Sequence, residues 1–209
     1  MVRRLAILLF LAAAVATASC GGSDCNCGTG VAPGDGPATT LTFDSFPGCN
    51  YLAGSPVPPA SRVSNQFQAQ TGLVISSGGG YASVTNNPGA PSTPNALGGS
   101  TPGNLVTYAR ANPVTFTFFD PHNSSRKGAV KSFSLIGDTL GLASQNVMIK
   151  AYDVHGNLVA TDTKADVGGE TLSVSFSTPI IHQVVFLGSV GDNDGVAVDN
   201  VTFTPVAVP

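Results

Sequence analysis

The clearest structural signal in the chain is Val114-Thr115-Phe116-Thr117-Phe118. Apolar residues alternate with threonine through every position. Side chains of a β-strand point to opposite faces in turn, so the pattern predicts Val114, Phe116 and Phe118 on a core and Thr115 and Thr117 toward water. Leu172-Ser173-Val174-Ser175-Phe176 repeats the period, and 196–203 follows it less cleanly. Residues 131–136, 147–152 and 158–163 read as further strands. The last two flank Asp153-Val154-His155-Gly156-Asn157, a hairpin turn in which Gly156 and Asn157 are expected to take positive φ. Residues 180–190 are more continuously apolar, as in a central strand buried on both faces.

Upstream the pattern is looser. Residues 40–43, 73–76 and 105–108 read as strands, and the Gly-, Pro- and Asn-rich stretch between 77 and 104 reads as a long loop. No window of about eleven residues carries a helical apolar stripe. Short apolar runs separated by Gly, Pro, Asn and Asp clusters predict an all-β protein: a single jelly-roll-like antiparallel β-sandwich of about ten strands. Composition agrees. The 209 residues include 25 Gly and 15 Pro, no Trp, and only 10% charged residues, which excludes a coiled coil or helical bundle. A hydrophobic content of 42% excludes a disordered polyelectrolyte. A net charge of −3 with no basic cluster removes nucleic acid as a partner.

The first residues form an address. Met1-Val2-Arg3-Arg4 is a short positive segment, and the apolar run 5–15 is too short to span a bilayer as a mature helix. Residues 1–19 therefore read as an export signal. Two processing routes stay open. One is cleavage after Ala18. The other is a bacterial lipobox in Ala18-Ser19-Cys20-Gly21-Gly22, with Cys20 as the lipidated first residue and Thr17 departing from the usual Leu or Val. Residues 20–38 are a flexible tether, 39–205 the sandwich domain, and 206–209 a tail. Cys25, Cys27 and Cys49 remain if Cys20 is lipidated. Without lipidation the four could form two bridges. A bridge to Cys49 from Cys25 or Cys27, with Cys27 the candidate, fits an oxidising compartment, whereas Cys25-Asn26-Cys27 lacks the companion pair that a zinc site needs.

Four pieces in order carry a resemblance. They are Leu41-Thr42-Phe43-Asp44-Ser45-Phe46; Val63-Ser64-Asn65-Gln66-Phe67 leading to Gly72-Leu73-Val74-Ile75-Ser76; Ser92-Thr93-Pro94-Asn95-Ala96-Leu97; and Gly195-Val196-Ala197-Val198-Asp199-Asn200-Val201-Thr202-Phe203. Together they resemble the exported bacterial β-sandwich modules of PEP-CTERM-type proteins, which are similar in layout to jelly-roll carbohydrate-binding modules. The likeness spans about 40–204. Phe67 stands where the family has Tyr and Thr93 where it has Pro. The chain ends at Pro209, where a sorting tail would begin, so anchoring is expected from Cys20.

The resemblance implies that the terminal strands pair and bring Asp44 toward Asp199. Similar modules often hold a structural calcium near this junction, with Asn200 or a backbone carbonyl as a further oxygen ligand. The alternative is that Asp44 caps a turn and Asp199 binds loop amides. Asp192-Asn193-Asp194-Gly195 lacks the spacing of a calcium-binding EF-hand loop and reads as a turn. His122 and His155 fall in loops and His182 at a strand start, none with metal spacing. No Gly-x-Ser-x-Gly elbow and no obvious carboxylate pair for glycoside hydrolysis is present, and a Ser-His-Asp triad, being assembled in space, stays open. Sugar rings stack on exposed aromatics. Tyr51 and Tyr81, read in loops, are the candidate platform, while Tyr108 and Tyr152 are expected to pack. The expectation is a monomeric, non-catalytic, exported module that binds an extracellular polysaccharide or other surface polymer, with calcium as a support. The alternatives are an adhesive envelope lipoprotein that binds other proteins and, behind it, a hydrolase.

Overall fold

The computed structural model describes residues 36–44, 61–78, 81–86, 90–100, 113–138, 146–165, 167–188 and 197–209. Cys20, Cys25, Cys27, Cys49, Tyr51, Tyr108, the strand expected at 105–108 and the turn expected at 192–195 lie outside the described residues.

Thirteen strands occupy the described chain: β1 Thr39–Leu41, β2 Ser61–Val63, β3 Leu73–Ser77, β4 Tyr81–Asn86, β5 Asn95–Ser100, β6 Val114–Asp120, β7 Asn123–Lys127, β8 Ser132–Asp138, β9 Asn146–Tyr152, β10 Leu158–Ala165, β11 Glu170–Ser175, β12 Gln183–Gly188 and β13 Ala197–Phe203. One helical turn, α1 Gln68–Thr71, precedes β3. Two antiparallel sheets result. One runs β11-β8-β13-β5-β4-β2 with β1 also on β13, and the other runs β10-β9-β12-β6-β3 with β7 on β6. The all-β sandwich is therefore observed, with the first and last strands paired through Thr39 to Phe203 and Leu41 to Val201.

The alternation in β6 does what its sequence requires. Val114, Phe116 and Phe118 are buried, and Thr115 and Thr117 are half-buried on the other face. Phe133 of β8 meets Phe116 and Phe118 at ring-centroid distances of 5.2 and 6.3 Å, and Phe203 of β13 meets Phe118 at 5.2 Å. These aromatic contacts join the two sheets. Ile149 and Phe186 add to the same core from β9 and β12. Gly137 of β8 shows how closely the layers approach. A Cβ there would lie 2.4 Å from Cε2 of Phe186.

Several expectations need correction. The stretch read as a long loop holds β4 and β5, whose pairing runs from Tyr81 opposite Ser100 to Asn86 opposite Asn95. Gly98 and Gly99 hid β5 from a reading based on apolar alternation. The described part of 180–190 is not buried on both faces. Val184 and Phe186 are buried, while Gln183, Val185 and Leu187 stand half-buried on the outer face of β12. Gly156 has φ 84°, but Asn157 does not share the left-handed region; backbone bonds close the turn between Asp153 and residues 156 and 157, and the side chain of Asp153 adds to them. Its Oδ1 accepts from the amides of His155 and Asn157 at 2.9 Å each, and its Oδ2 accepts from Asn157 Nδ2 at 2.9 Å. Packed chain also continues past Pro205. Val206 lies against the core, and Ala207 exchanges backbone hydrogen bonds with Ala129, inside the stretch read as a tail.

Gly137→Ala should overpack this inter-sheet contact. The expected cost is about 1–3 kcal/mol, which for a domain of this size lowers Tm by roughly 3–10 °C. Thermal unfolding followed by circular dichroism checks it, and an unchanged Tm would mean that the sheets separate more freely than the Gly137 contact implies.

Candidate functional site

Two places gather chemistry, one in each sheet. The first is the point where β13 changes partners. Toward its start β13 pairs with β5 through Val198 opposite Leu97, and toward its end with β1 through Val201 to Phe203. The register with β8 shifts between Asp199 and Thr202, and Asn200 takes φ 48°. This irregularity turns Asp199 into the gap that opens between β5 and β1.

Asp199 is 2% exposed. Its Oδ2 accepts from the Ser92 amide at 2.6 Å, its Oδ1 from the Asn200 amide at 2.7 Å, and the Ser92 hydroxyl lies 2.8 Å from Oδ1. Asp44 acts on the same segment from the other side, with Oδ1 accepting from the Asn95 amide at 3.0 Å. Asn95 Nδ2 donates to the Phe43 carbonyl at 3.1 Å, and Phe43 itself takes φ 62°. Residues 92–95 are thus held between the carboxylates of Asp44, just past β1, and Asp199 of β13. Asp199 binds loop amides, as one of the two readings expected, and Asp44 stands close enough for its charge to be felt. Burial raises the Asp199 carboxyl above its ordinary value, the Asp44 charge adds to the rise, and the hydrogen bonds from Ser92 and Asn200 oppose it.

The residues here suit a hard cation by donor type. Asp44 and Asp199 are like charges beside one another, and carbonyl oxygens of Thr42 and Phe43 lie along the same turn. A void of about 10 Å³ adjoins Asp199, lined by Asp138 and by the apolar residues Ala90, Pro91, Ala96, Ile136, Ala197 and Val198, and not by Asp44. That space admits about one water-sized sphere. The Asn200 amide donates to Asp199 Oδ1, so what it is seen to bring here is an N–H and not an oxygen.

The second place is the outer face of the six-stranded sheet. Directly opposed residues of antiparallel strands share a face. The register therefore lines up Val74 of β3, Thr117 of β6, Gln183 of β12, Tyr152 of β9 and Leu158 of β10 in one row. Gln183 Nε2 donates to Thr117 Oγ1 at 3.2 Å, which fixes the amide within the row. Leu158 is 55% exposed. The next row is Ser76, Thr115, Val185, Lys150 and Thr161, and beyond it come Leu187, Met148 and Thr163. The expectation that Tyr152 packs is corrected. Val147, Ile149 and Ala151 are the buried set of β9, so Tyr152 belongs to the outer set and is half-buried. Tyr81 opens β4 in the other sheet, and Tyr51 is outside the described residues, so neither is brought to this face.

The histidines separate. His182 is 8% exposed, with Nδ1 2.8 Å from the Gly128 carbonyl and its ring edge-on to Phe119. His155 sits in the turn after β9. His122 lines a polar depression of about 340 Å³ with Asn65, Gln68, Ala69, Pro121 and Ser124, and no carboxylate shares it.

No protein-family model matches the chain, and no curated protein sequence matches it. Among solved structures it is similar to the CBM22-1 xylan-binding domain of Xyn10C from Paenibacillus barcinonensis, at 14% identity and TM-score 0.44 over 86% of this chain and 100% of that one. It is also similar to a family 22 carbohydrate-binding module of Clostridium thermocellum Xyn10B, at 12% identity and TM-score 0.40 over 65% and 88%. A third is TmCBM61, solved in complex with β-1,4-galactotriose, at 10% identity and TM-score 0.39 over 68% and 94%.

The raised Asp199 carboxyl predicts a pH dependence with a definite sign. The folded chain holds this proton more tightly than the unfolded chain. The contribution is full below the ordinary value of 3.8 and is lost as pH rises through the raised value. Asp199→Ala also leaves the Ser92 and Asn200 amides without their acceptor, at a cost of roughly 2–4 kcal/mol. In calcium-free buffer the stability advantage of the wild type over Asp199→Ala should therefore shrink from acid toward neutral pH while staying positive. Denaturant unfolding of both proteins across that range measures it, and an advantage that grows with pH would reverse the assignment.

Proposed function

We propose that the chain is a non-catalytic glycan-binding module, exported and monomeric, of the kind associated with PEP-CTERM-type proteins, with the outer face of the six-stranded sheet as its platform. The row Leu158–Tyr152–Gln183–Thr117 carries the reading. A sugar ring offers an apolar C–H face and a rim of hydroxyls. Tyr152 and Leu158 supply flat and apolar surface for the first, while the Gln183 amide, which both donates and accepts, and the Thr117 and Thr115 hydroxyls supply partners for the second. Strands spaced about 4.8 Å apart carry the row across about 15 Å from β3 to β9, room for several rings of an extended chain rather than one. Central strands hold these side chains in place before binding, which lowers the ordering cost of association.

Nothing in the described histidine environments favours hydrolysis. The His182 ring serves a carbonyl, and the depression beside His122 has no acid to pair with. The adhesive reading calls for a flat apolar patch. The exposed large hydrophobics among the described residues are Leu158, beside Tyr152, and Val167.

Two further parts belong to the proposal. Calcium sits at the junction of the terminal strands, held by Asp44 and Asp199 with Asn200 beside them, and supports the 92–95 segment. Its donors would be hard oxygens, which suit this ion. The chain is carried to the cell envelope by residues 1–19 and anchored through lipid on Cys20, with the Cys27–Cys49 bridge at the domain's edge. Cys20→Ser should then shift the exported protein from the detergent phase to the aqueous phase in detergent partitioning, and a wild type that stays aqueous would sink the anchor.

Titration against soluble polysaccharides, with calcium and again with EDTA, tests the platform. Tyr152→Ala should weaken binding at least tenfold, as loss of one aromatic stacking contact does, while leaving Tm within a few degrees because the side chain faces outward. EDTA should lower the Tm of the wild type and not that of Asp199→Ala. Undiminished binding by Tyr152→Ala would remove the platform, and a melt insensitive to EDTA would remove the calcium.

A further inference from the structure

We infer that the platform takes an acidic polysaccharide, one bearing carboxylate or sulfate groups, and that Lys150 receives the anion; this rests on the glycan reading above. Lys150 lies mid-strand in β9, between Met148 and Tyr152, opposite Val185 of β12 and Thr161 of β10. In the rows Val74 to Leu158 and Ser76 to Thr161 it is the only charged side chain. The residue is half-buried, with Val185 and Thr161 directly opposite it on the neighbouring strands. This keeps the ammonium close to the surface that a sugar chain would cover.

Acids on β10, in the turn after β9 and at the end of β6 are bonded elsewhere. Asp162 belongs to the inward set of β10 and accepts from the Ser173 amide at 2.8 Å. Asp153 holds the turn amides of His155 and Asn157, and Asp120 accepts from the His122 amide at 2.9 Å. The neighbouring lysines are engaged as well. Lys127 Nζ donates to the Val154 carbonyl at 2.6 Å, and Lys164 Nζ donates to that of Thr171. Lys150 is left as a cation with no carboxylate partner among the described residues, set beside the one aromatic and the one amide of the row. A hydroxyl of a neutral sugar can accept a hydrogen bond from the ammonium. An anionic substituent accepts the same bond and adds the attraction of opposite charges. The chain carries a net charge of −3, so its surface as a whole works against loose adsorption of an acidic polymer and confines such binding to a locally positive face.

The test measures affinity of the full chain for polygalacturonate, its methyl ester, chondroitin sulfate and neutral xylan, with wild type, Lys150→Met and Tyr152→Ala. The wild type should prefer at least one acidic polymer over the neutral ones by about tenfold, the scale of one charge-assisted hydrogen bond. That preference should weaken with added salt. The carboxylate and sulfate arms identify which anion is taken, and preference for either supports the inference. Lys150→Met should abolish the preference and keep weak neutral binding, whereas Tyr152→Ala should weaken acidic and neutral binding alike. Equal wild-type affinity for acidic and neutral polymers, or a preference that survives Lys150→Met, overturns the inference and leaves the glycan reading standing. Failure to bind any of the polymers overturns both.

Discussion

The contact of Phe116 and Phe118 with Phe133 and Phe203 is the constraint from which the remaining geometry follows. It settles which face of β6 is inside, and backbone pairing transmits that choice outward. Once Phe116 is inside, its partners Val184 and Ile75 are inside, and through β12 so is Ala151. Thr117, Gln183, Val74 and Tyr152 are then outside by the same pairing. A one-residue slip of β9 against β12 would turn Tyr152 and Lys150 into the core and bring Ile149 to the surface, so burial of the aromatic cluster fixes the proposed platform. The side chains that would meet a ligand make little contribution to the core. They are positioned by residues that never touch the ligand.

The seven-stranded sheet solves a different problem. Its last strand is shared between β5 and β1, and a strand that changes partners leaves backbone amides facing a gap. The Asp199 carboxylate fills that gap and satisfies the amides of Ser92 and Asn200, and Asp44 does the same for Asn95. Burying a carboxylate is costly unless it is well hydrogen-bonded. Here the donors offset the cost only in part, since the Asp199 carboxyl is still raised and the Asp44 charge works in the same direction. The proposed calcium would neutralise both carboxylates at once and relieve the repulsion that the hydrogen bonds leave in place.

How much of this was legible in the sequence depends on whether a strand has one polar face. Val114 to Phe118 and Leu172 to Phe176 announced themselves because threonine or serine marks the outer positions. β4 and β5 did not, since glycines 98 and 99 carry no side chain to alternate. β7, Asn123–Lys127, is exposed at every position, so no apolar signal marked it. The outer positions of β12 and β9 were misread for the opposite reason. Val185, Leu187 and Met148 are apolar on a face that is not core, which makes 180–190 look buried throughout and Tyr152 look packed. One signal was available. Lys150 cannot share a face with Val147, Ile149 and Ala151, so it implies an outward parity that Tyr152 must follow. Asp199 was legible as a residue, whereas its partner Ser92 was not, because 107 positions separate them and only the pairing of the chain ends brings them together.

β10 ties the two sheets together and explains why the platform has the charge it has. Ala160, Asp162 and Lys164 share the inward parity of Ala151, Ile149 and Val147. At the open side of the sandwich they meet β11, the edge of the other sheet. Asp162 accepts from the Ser173 amide and Lys164 donates to the Thr171 carbonyl, so two opposite charges occupy backbone groups that an edge strand would otherwise offer to another chain. The same parity that turns those charges inward leaves Thr161 and Thr163 outside beside Lys150. Edge protection and an uncompensated ammonium on the outer face are thus two consequences of a single register, and a shift of β10 by one residue would undo both together.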